Sequence, residues 1–113
     1  MMPLDEAAVQ ITIVDDSRRE KCDFRYGIDW SSDEVIVQAS DRVKDRFGSK
    51  IKLDYLDLAK PATNRYALEL SRRARKEALP LPLLVVNGQP RISGEFDIRL
   101  LLDAVETELE IKP

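Results

Sequence analysis

Asn87-Gly88 constrains the fold of this chain more than any other pair of residues. A two-residue type I′ turn needs φ > 0 at both central positions, which asparagine tolerates and glycine takes freely, so Asn-Gly between β-prone runs predicts a hairpin. The run before it, Leu83 to Val86, is apolar throughout and partly β-branched, the pattern of a buried strand, and Pro82 leads into it. The return strand, Gln89 to Ile92, holds Pro90, which cannot donate to a ladder and so belongs at a sheet edge. Ser93-Gly94 then offers a helix start, with Glu95 and Asp97 in the first turn and Phe96, Leu100, Leu101, Val105 and Leu109 as the buried face.

Upstream, residues 1–8 read as a flexible start, and Val9 to Val14 as a central strand ending at Asp15-Asp16. From Ser17 to Trp30 no period of either kind emerges, so this stretch reads as a loop. Ser31-x-x-Glu34 has the spacing of a capping box and predicts a helix from Ser32 to Phe47 that buries Val35, Ala39, Val43 and Phe47, with Ile36 beside them and Gly48 just past its end. Ile51 to Leu58 alternates as a second strand, with Ile51, Leu53 and Tyr55 on one face. A helix over Asn64 to Ala78 buries Tyr66, Ala67, Leu70 and Ala74, and its other face carries Arg65, Arg72, Arg73, Arg75 and Lys76. Leu79-Pro80 ends it, because a residue before proline avoids the αR region.

A chain of 113 residues reads as one domain with one core. A formal net charge of −3 gives no reason to expect nucleic acid as a partner, and no apolar run is long enough to predict a membrane span. The absence of histidine removes Ser-His-Asp triads and imidazole zinc sites from consideration, and a single cysteine excludes an internal disulfide. Acidic Asp5 and Glu6 stand where a signal peptide would be basic, so a reducing, cytoplasmic location is the expectation.

The order β-α-β-α-β-β-α, with a proline leading the third strand and a glycine before the last helix, resembles the thioredoxin fold, especially its glutaredoxin-like branch. The resemblance implies a three-layer α/β domain with a four-stranded mixed sheet and helices on both faces. The stretches Cys22 to Ser31, Asp54 to Leu58 and Leu84 to Gly88 further resemble a bacterial family of small disulfide oxidoreductases that carry Cys-x-x-Cys. Here the tetrad is Cys22-Asp23-Phe24-Arg25, and an arginine replaces the resolving thiol. In the family the matching proline is cis and faces the reactive cysteine. The resemblance therefore implies Cys22 and Arg25 as catalytic residues, with Leu81 and Pro82 holding a partner's extended chain. Gly94 and Asp97 match residues with which glutaredoxins hold glutathione, whereas Glu95 and Phe96 depart from that pattern.

Two functions stay open at this stage. In one, Cys22 is a thiolate favoured by Arg19, Lys21 and Arg25, forming mixed disulfides with a protein thiol or disulfide partner or with glutathione. In the other, Cys22 is a small buried hydrophobe and the chain is a redox-inactive protein-binding or dimerising module. A homodimer is compatible with either. Asp16, Glu20 and Asp23 oppose the local positive charge. The basic helix face is either a solvated surface or a contact for an acidic partner. Trp30 and Tyr26 either form an aromatic contact surface or pack under the loop, and Asp15-Asp16 alone is a weak metal signal, so no metal is expected.

Overall fold

The computed structural model describes residues 9–18 and 29–111. The expected flexible residues 1–8, and Cys22, Arg25 and Tyr26, lie outside the described residues. The elements are β1 (Val9–Asp15), α1 (Asp33–Phe47), β2 (Ile51–Asp57), α2 (Arg65–Lys76), β3 (Leu83–Val86), β4 (Gln89–Ser93) and α3 (Ile98–Ile111). Their order is β-α-β-α-β-β-α, and the strands form one mixed sheet in the order β2-β1-β3-β4. β1 runs parallel to β2, with Val9 opposite Ile51 and Asp15 opposite Asp57. It runs antiparallel to β3, with Ile11 opposite Val86 and Val14 opposite Leu83. This arrangement is consistent with a thioredoxin-like fold.

The sheet divides the apolar side chains by strand parity. Val9, Ile11, Ile13, Leu84 and Val86 pack with Ala39 and Val43 of α1 and with Leu101, Leu102 and Val105 of α3. Val14, Leu83 and Val85 point the other way, onto Leu70 and Ala74 of α2. Helices therefore cover both faces. β1 is central because it is apolar toward both layers; among its residues only Gln10 is not fully buried.

The hairpin follows from its turn residues. Asn87 and Gly88 have φ of 50° and 82°, the left-handed pair that a type I′ turn requires. Asn87 also ties the hairpin to the molecule, since its Oδ1 accepts the Gln10 amide at 2.8 Å and its amide donates to the Gln10 carbonyl. β4 lies at the edge; Pro90 stands opposite Val85 and Ile92 opposite Leu84, so the irregularity between Leu84 and Val85 leaves Arg91, next to the proline, outside the register. On α3, Glu108 is buried and pairs with Arg91 of β4, joining the last helix to that edge strand.

Several boundaries differ from the sequence expectation. Helix α1 is capped at Ser32, not Ser31, and no side chain caps it. Ser31 is occupied instead: its amide and hydroxyl both donate to Asp29 Oδ1, closing a tight turn ahead of the helix. Asn64 does act as a cap, accepting the Ala67 amide at 2.8 Å, but α2 ends at Lys76. Helix α3 starts later than Ser93-Gly94. Asp97 accepts the Leu100 amide at 2.9 Å and sets the start at Ile98. That phase leaves Leu100 exposed and buries Leu102 in its place.

Candidate functional site

The turn out of α2 and the end of β4 meet at one corner. Ala78 takes a positive φ of 50° after the helix, and the chain reaches β3 through a cis Leu81-Pro82 peptide bond. Pro82 is buried and Leu81 half-buried against the cluster on the α2 face. From the other side, the Gly94 amide donates to the Pro82 carbonyl at 2.9 Å, and the Ser93 hydroxyl donates to the Pro80 carbonyl at 3.0 Å. Gly94 has φ of 100°, a conformation strained for residues with a Cβ. Of the residues singled out from the sequence, Leu81, Pro82 and Gly94 thus stand together. Asp97 follows three residues later as the exposed cap of α3. Cys22 and Arg25 lie outside the described residues, so the structure gives no distance from either to this corner.

The described residues that precede and follow the Cys22 stretch are bonded into the fold. At the outgoing end Val14 pairs with Leu83, the neighbour of Pro82. Asp57, at the end of β2, then accepts the amides of Ser17 at 3.0 Å and Ala59 at 2.9 Å on one carboxylate oxygen. Burial pushes the Asp57 carboxyl up, but the amide bonds outweigh it and hold the group below its usual range. Asp16 is held low by the hydrogen bonds of the Arg18 guanidinium, which spans both its oxygens. Asp16 is thus engaged by Arg18, and Asp15 is fully buried.

At the returning end stands Trp30, which is completely buried. Its ring stacks on Phe96 with centroids 5.0 Å apart, and its Nε1 donates to the Phe96 carbonyl at 3.1 Å. Of the two alternatives for Trp30, its burial favours packing and leaves no exposed aromatic contact surface. Phe96 lies two residues beyond Gly94. Val14 and Trp30, described residues before and after the Cys22 stretch, thus both contact the segment that carries Pro82 and Gly94, Val14 at Leu83 and Trp30 at Phe96.

The basic face of α2 is partly committed. Arg73 Nη1 donates to the Gly88 carbonyl at 3.2 Å and pairs with Glu77, while Arg75 Nη2 donates to the Leu58 carbonyl at 2.9 Å. These two cations brace turns. Asp57 is a residue that sequence reasoning missed, and Trp30 is one whose role it left open. Trp30 lies in a stretch with no period, and the one hint for Asp57 was an acidic residue closing each of two strands.

No protein-family model and no curated protein matches this chain. In structure it is similar to protein SA0789 of Staphylococcus aureus, a protein of unknown function, with a TM-score of 0.66 and 13% sequence identity over 99% of this chain and 100% of that one. At that identity the likeness concerns the fold alone. No helix among the described residues is long and apolar enough to cross a membrane.

Proposed function

We propose that this protein exchanges thiols and disulfides through the single thiol of Cys22. The observation that supports the reading is that Val14 and Trp30, the described residues before and after the Cys22 stretch, contact Leu83 and Phe96 on the segment in which the Gly94 amide donates to the Pro82 carbonyl. The Cys22 thiolate attacks one sulfur of a partner's disulfide. A mixed disulfide forms and the partner's other sulfur leaves as a thiolate, which takes up a proton. A second, external thiol then attacks the mixed disulfide and regenerates Cys22, because the chain has no resolving cysteine. Arg25 and Lys21 supply positive charge close in sequence that favours the thiolate.

The partner of choice is a protein disulfide. The Gly94 amide is already given to Pro82, and Phe96, at a position where glutaredoxins hold glutathione, is buried with its carbonyl bonded to Trp30. Asp97 keeps an exposed carboxylate as the remaining contact for a tripeptide. The test is mass spectrometry of the native protein after incubation with a disulfide-bonded protein or with oxidised glutathione, with Cys22→Ser as control. A mixed disulfide on native Cys22, faster with the protein disulfide, supports the reading. An adduct that forms only in urea overturns it.

A further inference from the structure

We propose that the outer edge of β2 pairs with the same strand of a second copy of this chain, giving a two-fold dimer with one continuous sheet. The surface is distinct from the Pro82–Gly94 corner and stands independently of the thiol chemistry. The sheet has two outer strands, β2 and β4. β4 holds Pro90 and pairs irregularly with β3, two features that keep a strand edge from accepting another strand. β2 has neither: its residues, Ile51–Asp57, match β1 in unbroken register from end to end. Among the described residues no strand lies on its outer side.

Backbone geometry limits how two such strands can meet. In a parallel ladder alternate residues turn both N–H and C=O toward the neighbouring strand. The Leu58 amide donates to the Asp15 carbonyl at 2.8 Å, so by the same alternation Lys52, Asp54 and Leu56 bond toward β1, and Leu53 turns its amide and carbonyl outward. An antiparallel pair of β2 strands must therefore match odd positions with odd and even with even, which also keeps each face of the sheet on its own side.

Charge then selects one register. With the two-fold axis at Lys52 two lysines face each other, and with the axis at Asp54 two aspartates do; like charges directly opposite are destabilising. An axis at Ile51 sets Lys52 opposite Lys50, and one at Tyr55 sets Leu53 opposite Asp57. With the axis at Leu53, Lys52 of each protomer stands opposite Asp54 of its partner, so both cross-strand pairs are of opposite charge. These side chains are accessible, at 64% and 44%. On the other face Leu53 meets Leu53 and Ile51 lies opposite Tyr55, which gives the half-buried Leu53 and Tyr55 apolar cover. Helix α1 adds to the surface. It packs over β2, whereas α3 packs over β1 and β3, and Arg46 on its α3 side pairs with Glu106. Val37 precedes Arg46 by about two and a half turns, hence on the opposite flank, toward the β2 edge. It is 57% exposed there, and the two-fold brings the partner's α1 alongside it.

The experiment is sedimentation equilibrium of wild type, Lys52→Glu and the exchange variant Lys52→Glu/Asp54→Lys across the micromolar range, with amide hydrogen exchange on the wild type. The wild type is expected to reach twice the chain mass. Lys52→Glu sets acid opposite acid in both cross-strand pairs and should raise the dimer Kd about tenfold or more, and the exchange variant, in which opposite charges meet again, should recover most of that loss. The Leu53 amide should exchange more slowly in the dimer than in the dilute monomer. A wild type that stays monomeric, a dimer indifferent to Lys52→Glu or not recovered by the charge exchange, or a Leu53 amide that exchanges equally fast in both states would each overturn the proposal.

Discussion

Replacing Trp30 probes both the packing of the fold and the anchoring of the candidate site. The side chain is fully buried, stacks on Phe96 and donates one hydrogen bond at 3.1 Å. In Trp30→Phe the indole N–H is lost, which costs about 1 kcal/mol. Loss of part of the buried ring adds about 1–2 kcal/mol at the usual value for apolar burial. The sum, about 2–3 kcal/mol, leaves a folded protein, since domains of this kind have about 5–15 kcal/mol in hand. Trp30→Ala removes the whole ring and costs about 4–6 kcal/mol, enough to unfold much of the population. Urea unfolding followed by circular dichroism measures the first value by linear extrapolation. Trp30 is the chain's only tryptophan, so native wild-type emission reports it alone and should be blue-shifted relative to the unfolded protein. A Trp30→Phe cost well below 1 kcal/mol, or solvent-like emission from the native protein, would refute the anchoring argument.

Other substitutions test separate parts of the account. Arg91→Met leaves the 8%-exposed Glu108 carboxylate without its guanidinium and should cost about 3 kcal/mol in urea unfolding, whereas Glu106→Gln, which breaks the half-exposed pair with Arg46, should stay within about 1 kcal/mol. Gly88→Ala should cost about 1–2 kcal/mol, all of it from the backbone, because a Cβ there meets no atom within 4 Å. The Asp57 carboxyl is held below its ordinary 3.8, so its contribution is present above that pH and is lost as pH falls through the lower, folded value. Asp57→Asn should therefore flatten the stability profile in that acid range, as measured by urea unfolding at successive pH values.

Much of the fold could be read from local chemistry. Asn87-Gly88 needed no tertiary information to specify a hairpin, and Pro90 could occupy only an edge or irregular position in it. Four-residue spacing placed Ala39 and Val43 in the core correctly because a helix of four turns repeats its phase often enough to be unambiguous. Where two local signals competed, sequence alone did not decide. Ser31 and Ser32 both suit a cap, and Asp29 drew Ser31 into its own turn. Leu100, Leu101 and Leu102 cannot all face inward at 100° per residue, and the cap at Asp97 set which two do.

The central functional claim rests on Cys22, and the rate of its alkylation by iodoacetamide against pH, on native and urea-unfolded protein, tests that claim most directly. The account predicts that native Cys22 reacts readily and titrates well below the free-thiol value of about 8.5. A native thiol that reacts only as the protein unfolds, or that titrates at or above the unfolded value, would contradict it.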